Sequence, residues 1–230
     1  MYFRDRREAG ERLAEALADL KGRPDLLVLG IPRGGVVVAA AVAHALKAPL
    51  DVIITRKIGA PENSELAIGA VASGGARVLD ARLIRTLGVP RAYVEAEIAR
   101  QEAEIARRER AFRGDRPPLA VAGRSVIVVD DGIATGATTL ATLRALRQKN
   151  PAALILAVPV ASRQALKRLR READRVVCLF SPEVFWAVGL YYADFEQTTD
   201  EEVVSLLRAA ERAGRGGDDG EDEPGDKEGE

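Results

Sequence analysis

The sequence predicts an α/β chain: a central, mainly parallel sheet with helices on both faces. Three observations carry this. Short apolar runs alternate with helical patterns along most of the chain, the arrangement that connects parallel strands. Two of the runs, at 26–29 and 126–129, end abruptly at a turn that opens a helix. In open α/β sheets ligands bind at such carboxyl ends of strands. Only one segment, at 66–79, departs from the alternation and reads as a hairpin.

Each element has a local reason. Over 5–20, Ala9, Leu13, Ala16, Leu17 and Leu20 recur near helical spacing and open the chain with an amphipathic helix. A short strand at 26–29 is closed by Gly30, and 36–46 is an alanine-rich helix, apolar on most sides. Residues 50–55 form a second strand. Runs 66–72 and 76–79 flank Ser73-Gly74-Gly75, a hairpin expected to add an antiparallel edge to the sheet. Residues 91–113 make an added helical segment, long and charged, ended by Arg116-Pro117-Pro118. Its narrow stripe of Val94, Ile98, Ile105 and Phe112 is either a core seam or a homodimer contact. Strand 125–129, helix 137–149, strand 153–158, helix 162–172 and strand 175–179 follow, and a helix over 199–212 closes the pattern.

The 230 residues suffice for one domain with a sizeable core, expected over 1–212. With 47% apolar and 30% charged residues the balance is that of an ordinary soluble protein. No apolar run is long enough for a membrane helix, and the charged start Arg4-Asp5-Arg6-Arg7-Glu8 is unlike a signal peptide. One cysteine, Cys178, leaves no internal disulfide, so a cytoplasmic location is expected. Residues 213–230 hold eight acids and two bases, which against a net charge of −1 leaves the rest of the chain mildly basic. That tail cannot bury enough apolar area to offset chain entropy, and disorder is expected there.

The densest chemistry lies at Val126-Ile127-Val128-Val129-Asp130-Asp131-Gly132-Ile133-Ala134-Thr135-Gly136-Ala137-Thr138. Four apolar residues stop at two carboxylates, and a Gly- and Thr-rich turn then leads into a helix. The turn offers unpaired N–H groups and a positive helix end to an anion. The two acids suit ribose hydroxyls or the water shell of Mg²⁺. This stretch resembles the phosphoribosyl-pyrophosphate (PRPP) motif of type I phosphoribosyltransferases, with Gly132 its one unusual residue. The resemblance implies their Rossmann-like fold, a five-stranded parallel core with a smaller hood, here from about 1–20 and 180–200. It also implies transfer of phosphoribosyl from PRPP to a base, with pyrophosphate released and Mg²⁺ as cofactor. Thr135, Gly136, Ala137 and Thr138, with Ala134 beside them, would take the 5′-phosphate. Asp130 and Asp131 would take the ribose hydroxyls and, through water, the metal.

Two further segments gain meaning beside this motif. Gly30-Ile31-Pro32-Arg33-Gly34-Gly35 is again a strand-to-helix turn, and it resembles the family's pyrophosphate loop, with Arg33, Gly34 and Gly35 as contacts. Such loops often hold a non-proline cis peptide. In 55–65, Arg56 and Lys57 are either a solvated charge pair at a strand end or, as the resemblance implies, pyrophosphate ligands on a mobile catalytic loop. Six of the ten aromatic residues fall within 180–195, and they serve as a base platform or as small-domain core. Phe185 and Trp186 are the first stacking candidates. His44, the only histidine, has no zinc-type partners, and Cys178 reads as a buried structural thiol.

The functions that follow differ in class. One is a Mg²⁺-dependent phosphoribosyltransferase with PRPP and a small-molecule base as partners. The other is a regulator that keeps the fold to sense PRPP or a nucleotide. No helix-turn-helix pattern or basic block suggests nucleic acid. Where hypoxanthine and guanine enzymes carry a motif Asp near the purine N7, this chain has Ala134, which argues against those acceptors.

Overall fold

The computed structural model describes residues 2–215. In chain order its elements are helix α1 (Arg6–Glu15), strand β1 (Leu26–Gly30), helix α2 (Gly34–Leu46), strands β2 (Leu50–Val52), β3 (Thr55–Ala60), β4 (Asn63–Ala72) and β5 (Ala76–Leu79), helices α3 (Ala81–Thr86) and α4 (Arg91–Arg113), strand β6 (Ser125–Val129), helix α5 (Ala137–Arg147), strand β7 (Ala153–Val160), helix α6 (Arg163–Leu169), strand β8 (Arg175–Phe180) and helix α7 (Asp200–Arg215). Of the disordered tail expected over 213–230, residues 213–215 continue α7, and residues 216–230 lie outside the described range.

Five parallel strands form the main sheet in the order β2-β1-β6-β7-β8. Side chains alternate across a strand, and both faces here are covered. Leu26, Val28, Ile127, Val129 and Ile155 pack in one core with residues of α2 and α7 such as Val42 and Leu207. Leu27, Leu29, Val126, Val128 and Leu156 pack in the other with Leu143 and Leu146 of α5 and Leu166 of α6. Double coverage is why these strands are apolar at successive positions. The chain leaves β1 toward β2 on one side and returns to β6 on the other. The gap between the carboxyl ends of β1 and β6 is therefore the topological switch point of the sheet.

The hairpin departs from expectation. It does not extend the main sheet; β3, β4 and β5 form a separate antiparallel sheet of three strands. Hydrogen bonds explain the break in the strand expected over 50–55. Ile53 still donates to Gly30 of β1 at 3.0 Å, but both backbone groups of Ile54 are taken by Ser73. The amide donates to Ser73 Oγ at 3.0 Å, and the carbonyl accepts from the Ser73 amide at 2.8 Å. The chain is thereby drawn out of one sheet and into the next. The segment 55–65, expected as a mobile loop, is correspondingly two paired strands closed by a turn at Pro61-Glu62. Helix α3, capped by Asp80 at 2.8 Å, has no buried residue and so left no apolar stripe to read.

A third apolar cluster joins the two ends of the domain. Phe3, Ala9, Val160 and Tyr192 are buried there, with Phe180, Phe185, Val188, Tyr191 and Phe195 against them. Phe3 is bridged to Tyr192, its amide donating to Tyr191 O at 2.8 Å. The apolar stripe of α4 is buried in the first core, so the helix uses that face within the chain. Among the described residues no helix is long and apolar enough to cross a membrane.

One buried ion pair fastens α4 to the sheet edge. Arg113 Nε donates to Asp51 Oδ1 at 2.7 Å, with side chains 4% and 7% exposed. Arg113 also donates to Val52 O and Glu109 Oε1, and Asp51 accepts from the amides of Val52 and Leu119, so every charge is answered. Removing one partner strands the other charge inside the protein. Arg113→Ala is expected to lower unfolding free energy by about 3–5 kcal/mol in urea denaturation. A loss below about 1 kcal/mol, the level of a surface pair, would contradict the role given to this pair.

Candidate functional site

The site is built where β1 and β6 end side by side. Gly30 is in register with Val129, and the amide of Ile31 donates to Val129 O at 2.9 Å, extending the pairing one residue beyond the strands. The turns that follow must then lie on one another. A Cβ on Gly34 would stand 2.0 Å from Asp131 Oδ2, and one on Gly35 would stand 2.9 Å from the Asp130 Cα. At 35 the obstacle is backbone, and at 34 it is the Asp131 carboxylate and the Arg6 guanidinium, which a side chain would displace. The Pro32–Arg33 peptide between β1 and α2 is cis. The structure thus brings Gly34 and Gly35 into direct contact with Asp130 and Asp131, which are far apart in sequence.

The two acids have different surroundings. Asp131 Oδ2 accepts from Arg6 Nε at 2.7 Å, with side chains 16% and 12% exposed. Arg6 is itself held by its Nη1 bond to Glu196 O at 2.7 Å, and its guanidinium lies 3.8 Å over the Phe195 ring. Tyr192 donates its hydroxyl to Asp131 O at 2.5 Å. Burial and the charges of Asp131 and Asp130, opposed only by Arg6, raise the Tyr192 phenol far above its ordinary value and keep it a donor. Among the described residues no ion pair is formed by Asp130, and the more distant Arg6 is the one cation that favours its charge. Asp130 Oδ1 accepts from the Asp131 amide at 2.9 Å, and burial followed by the charge of Asp131 pushes its carboxyl well above the usual carboxylate range. A cation placed here would favour the ionised form and so oppose both causes. Among the described residues no group of three or more His, Cys, Asp or Glu side chains is arranged to hold a metal ion. A metal at Asp130 and Asp131 would need water or ligand oxygens to complete its shell, as Mg²⁺ commonly does.

Beyond the acids the chain turns into α5 at Gly136, whose φ of 74° is left-handed, a backbone region that favours glycine. Thr135, Ala137 and Thr138 are exposed around it, and so is Ala134. A Cβ on Gly132 would lie 2.3 Å from Val188, so the unusual glycine of the motif is the point where 180–195 closes on the site.

The remaining candidates are placed unequally. Arg33 is exposed, its Nη1 3.7 Å from Asp200 at the start of α7, a distance and exposure that hold it weakly. Thr55 and Lys57 share one face of β3, and Thr142 of α5 donates to Thr55 Oγ1 at 2.8 Å. Lys57 therefore lies on the α5 side and is exposed there. Arg56, one residue out of phase, turns the other way and donates to Gln101 Oε1 on α4 at 3.0 Å. Phe185 is half-buried and stacks on Tyr191 with centroids 5.4 Å apart, whereas Trp186 is 80% exposed. His44 sits exposed in the last turn of α2. Cys178 donates to Phe180 O at 3.2 Å, and burial raises its thiol, as suits a structural residue. Sequence reading missed Arg6 and singled out the aromatic segment without choosing Tyr192 or Phe195. Arg6 looked like one more charge on an amphipathic helix, and only its packing across the domain reveals it.

Comparison with known proteins gives a consistent picture. The family model described as phosphoribosyl transferase domain matches residues 58–196. A Mycobacterium tuberculosis protein, named provisionally as a phosphoribosyl transferase, is 44% identical over 210 residues, which is 91% of this chain. The chain spans 47% of that relative's length. The crystal structure of TT1426 from Thermus thermophilus superposes with a TM-score of 0.82 at 49% identity, covering 90% of this chain and 98% of that one.

The crowding at Asp130 has a measurable consequence. A carboxyl raised in the folded state loses stability as it ionises, from its ordinary value of about 3.9 upward through the raised one. Asp130→Asn keeps the acceptor for the Asp131 amide and removes the charge. The ligand-free variant is expected to melt above the parent at pH 7, with the gain vanishing below about pH 4. A variant that melts lower at pH 7, or gains equally at both, would show that Asp130 carries no such penalty.

Proposed function

The chain belongs to the phosphoribosyl transferase domain family, and from that premise we propose that it is a Mg²⁺-dependent phosphoribosyltransferase. It moves the 5-phosphoribosyl group of PRPP to a nitrogen of a base and releases pyrophosphate. The observation that carries this reading is the contact of Gly34 and Gly35 with Asp130 and Asp131. It joins an anion-binding turn to a pair of hydroxyl-binding acids.

In this reading the 5′-phosphate lies on the amides and hydroxyls of Thr135, Gly136, Ala137 and Thr138, at the positive end of α5. Asp130 and Asp131 accept from the ribose 2′- and 3′-hydroxyls. Arg6 holds Asp131 Oδ2, which leaves the other oxygen to accept. Mg²⁺ would be held by Asp130 and Asp131 through water and would supply charge compensation for the leaving pyrophosphate. The C1–O bond breaks with its electrons going to pyrophosphate, a ring nitrogen of the base forms the new C1–N bond, and the proton that nitrogen carried passes to water or the released pyrophosphate. Arg33 and Lys57 answer the charge that develops on the leaving group. Arg56, engaged on α4, is left out of that role. The exposed ring of Trp186 offers a face to the base, and Phe185, stacked on Tyr191, is the second candidate. Ala134 presents no carboxylate, which favours acceptors other than hypoxanthine and guanine.

The test is pyrophosphate release from Mg·PRPP with hypoxanthine, guanine, adenine and orotate in turn. Release with an acceptor that is not a 6-oxopurine is expected. Hypoxanthine or guanine as best acceptor, with kcat/KM of about 10⁴ M⁻¹s⁻¹ or more, would contradict the reading of Ala134. Tight PRPP binding with no release from any of the four would favour a sensor. In the active protein, Lys57→Ala is expected to lower kcat about ten- to a thousandfold while PRPP affinity barely changes. Parallel loss of affinity and turnover would make Lys57 a ground-state phosphate contact instead.

A further inference from the structure

The phosphate turn is held from outside by a helix that contributes nothing to the motif. Three successive carbonyls of the turn are anchored toward α6 and the end of β7. Ile133 O accepts from the Ser162 amide at 2.9 Å, Ala134 O accepts from Ser162 Oγ at 2.6 Å, and Thr135 O accepts from the Arg168 guanidinium. The peptides concerned are trans, since the one cis bond among the described residues is Pro32–Arg33. A trans peptide points its C=O and the next N–H in opposite directions. With the carbonyls of 133, 134 and 135 fixed on α6, the amides of Ala134, Thr135 and Gly136 are turned to the open side of the turn. None of these three amides has an acceptor among the described residues.

Three unpaired amides in a row would ordinarily rotate to find partners within the protein. Here rotation of each peptide would break the bond that its carbonyl makes to α6. We infer that Ser162 and Arg168 are positioning residues: they fix the peptide planes of 133–136 so that a row of N–H groups faces the phosphate before it arrives. This rests on the reading of 134–138 as the 5′-phosphate site. Preorganisation of this kind strengthens binding because the donors need no reorientation on contact.

Substitutions separate this role from plain structure. Ser162 is also the cap of α6, accepting from the Ala165 amide at 3.1 Å. Ser162→Gly removes the hydroxyl at little capping cost, since glycine is itself a tolerated cap, and Ser162→Thr keeps both functions. Arg168 is exposed. Arg168→Ala removes the donor, whereas Arg168→Gln keeps a neutral amide donor and discards the charge. The experiment is calorimetric titration of ribose 5-phosphate into the full chain and these four variants. Each of Ser162→Gly and Arg168→Ala is expected to weaken binding about five- to tenfold, the scale of one hydrogen bond. Ser162→Thr and Arg168→Gln are expected to restore most of it. Parental affinity in the Gly and Ala variants would overturn the inference. An Arg168→Gln variant as weak as Arg168→Ala would overturn it for Arg168, making that residue a direct charge contact. Failure of the parent protein to bind ribose 5-phosphate would instead remove the phosphate site itself, and this inference with it.

Discussion

The close approach of two backbone turns governs this molecule. Gly34 and Gly35 lie against Asp130 and Asp131 with no room for a Cβ. The approach follows from the sheet: β1 and β6 are adjacent, in register to Val129, and paired one residue further through Ile31. A switch in strand order leaves the crevice above them open. A side chain at 34 would displace the Asp131 carboxylate and Arg6, and one at 35 would meet the backbone of Val129 and Asp130.

That approach places like charges where water is scarce. Two adjacent carboxylates, one of them with its ionisation opposed by burial, are an unfavourable arrangement in a ligand-free protein. The fold offsets part of it. Arg6 pairs with Asp131, Phe195 lies under the guanidinium, and Tyr192 fastens the Asp131 carbonyl. These three residues come from opposite ends of the domain, joined by the cluster around Phe3. The aromatic segment therefore does two things. Its inner rings hold the Asp131 side of the pair in place, and its outer ring, Trp186, is 80% exposed.

Much of this was legible in the sequence because parallel strands and their turns are local signals. The apolar runs at 26–29, 126–129, 153–158 and 175–179 fall within β1, β6, β7 and β8, and the turns between them read directly as anion sites. What escaped depended on contacts between distant residues. The withdrawal of Ile54 from the main sheet is enforced by Ser73, nineteen positions away, and nothing in the pattern of 50–60 announces it. The opposite orientations of Arg56 and Lys57 follow from that new strand, so two adjacent cations that read alike have different surroundings. The pairing of Arg6 with Asp131 spans 125 positions. The residues proposed to carry chemistry were visible from their types, whereas the contacts that hold them in place became visible only through packing.

The central claim is that the acids at the end of β6 and the turns around them form one ligand site. Calorimetric titration of Mg·PRPP into the parent protein and into the double variant Asp130→Asn/Asp131→Asn tests it most directly. Asparagine preserves size and leaves the glycine contacts intact while removing both charges. The account predicts a loss of about 2 kcal/mol or more in binding free energy, the scale of hydrogen bonds to charged groups, in a variant whose circular dichroism matches the parent. Unchanged affinity in that folded variant would place PRPP elsewhere on the molecule and contradict the account.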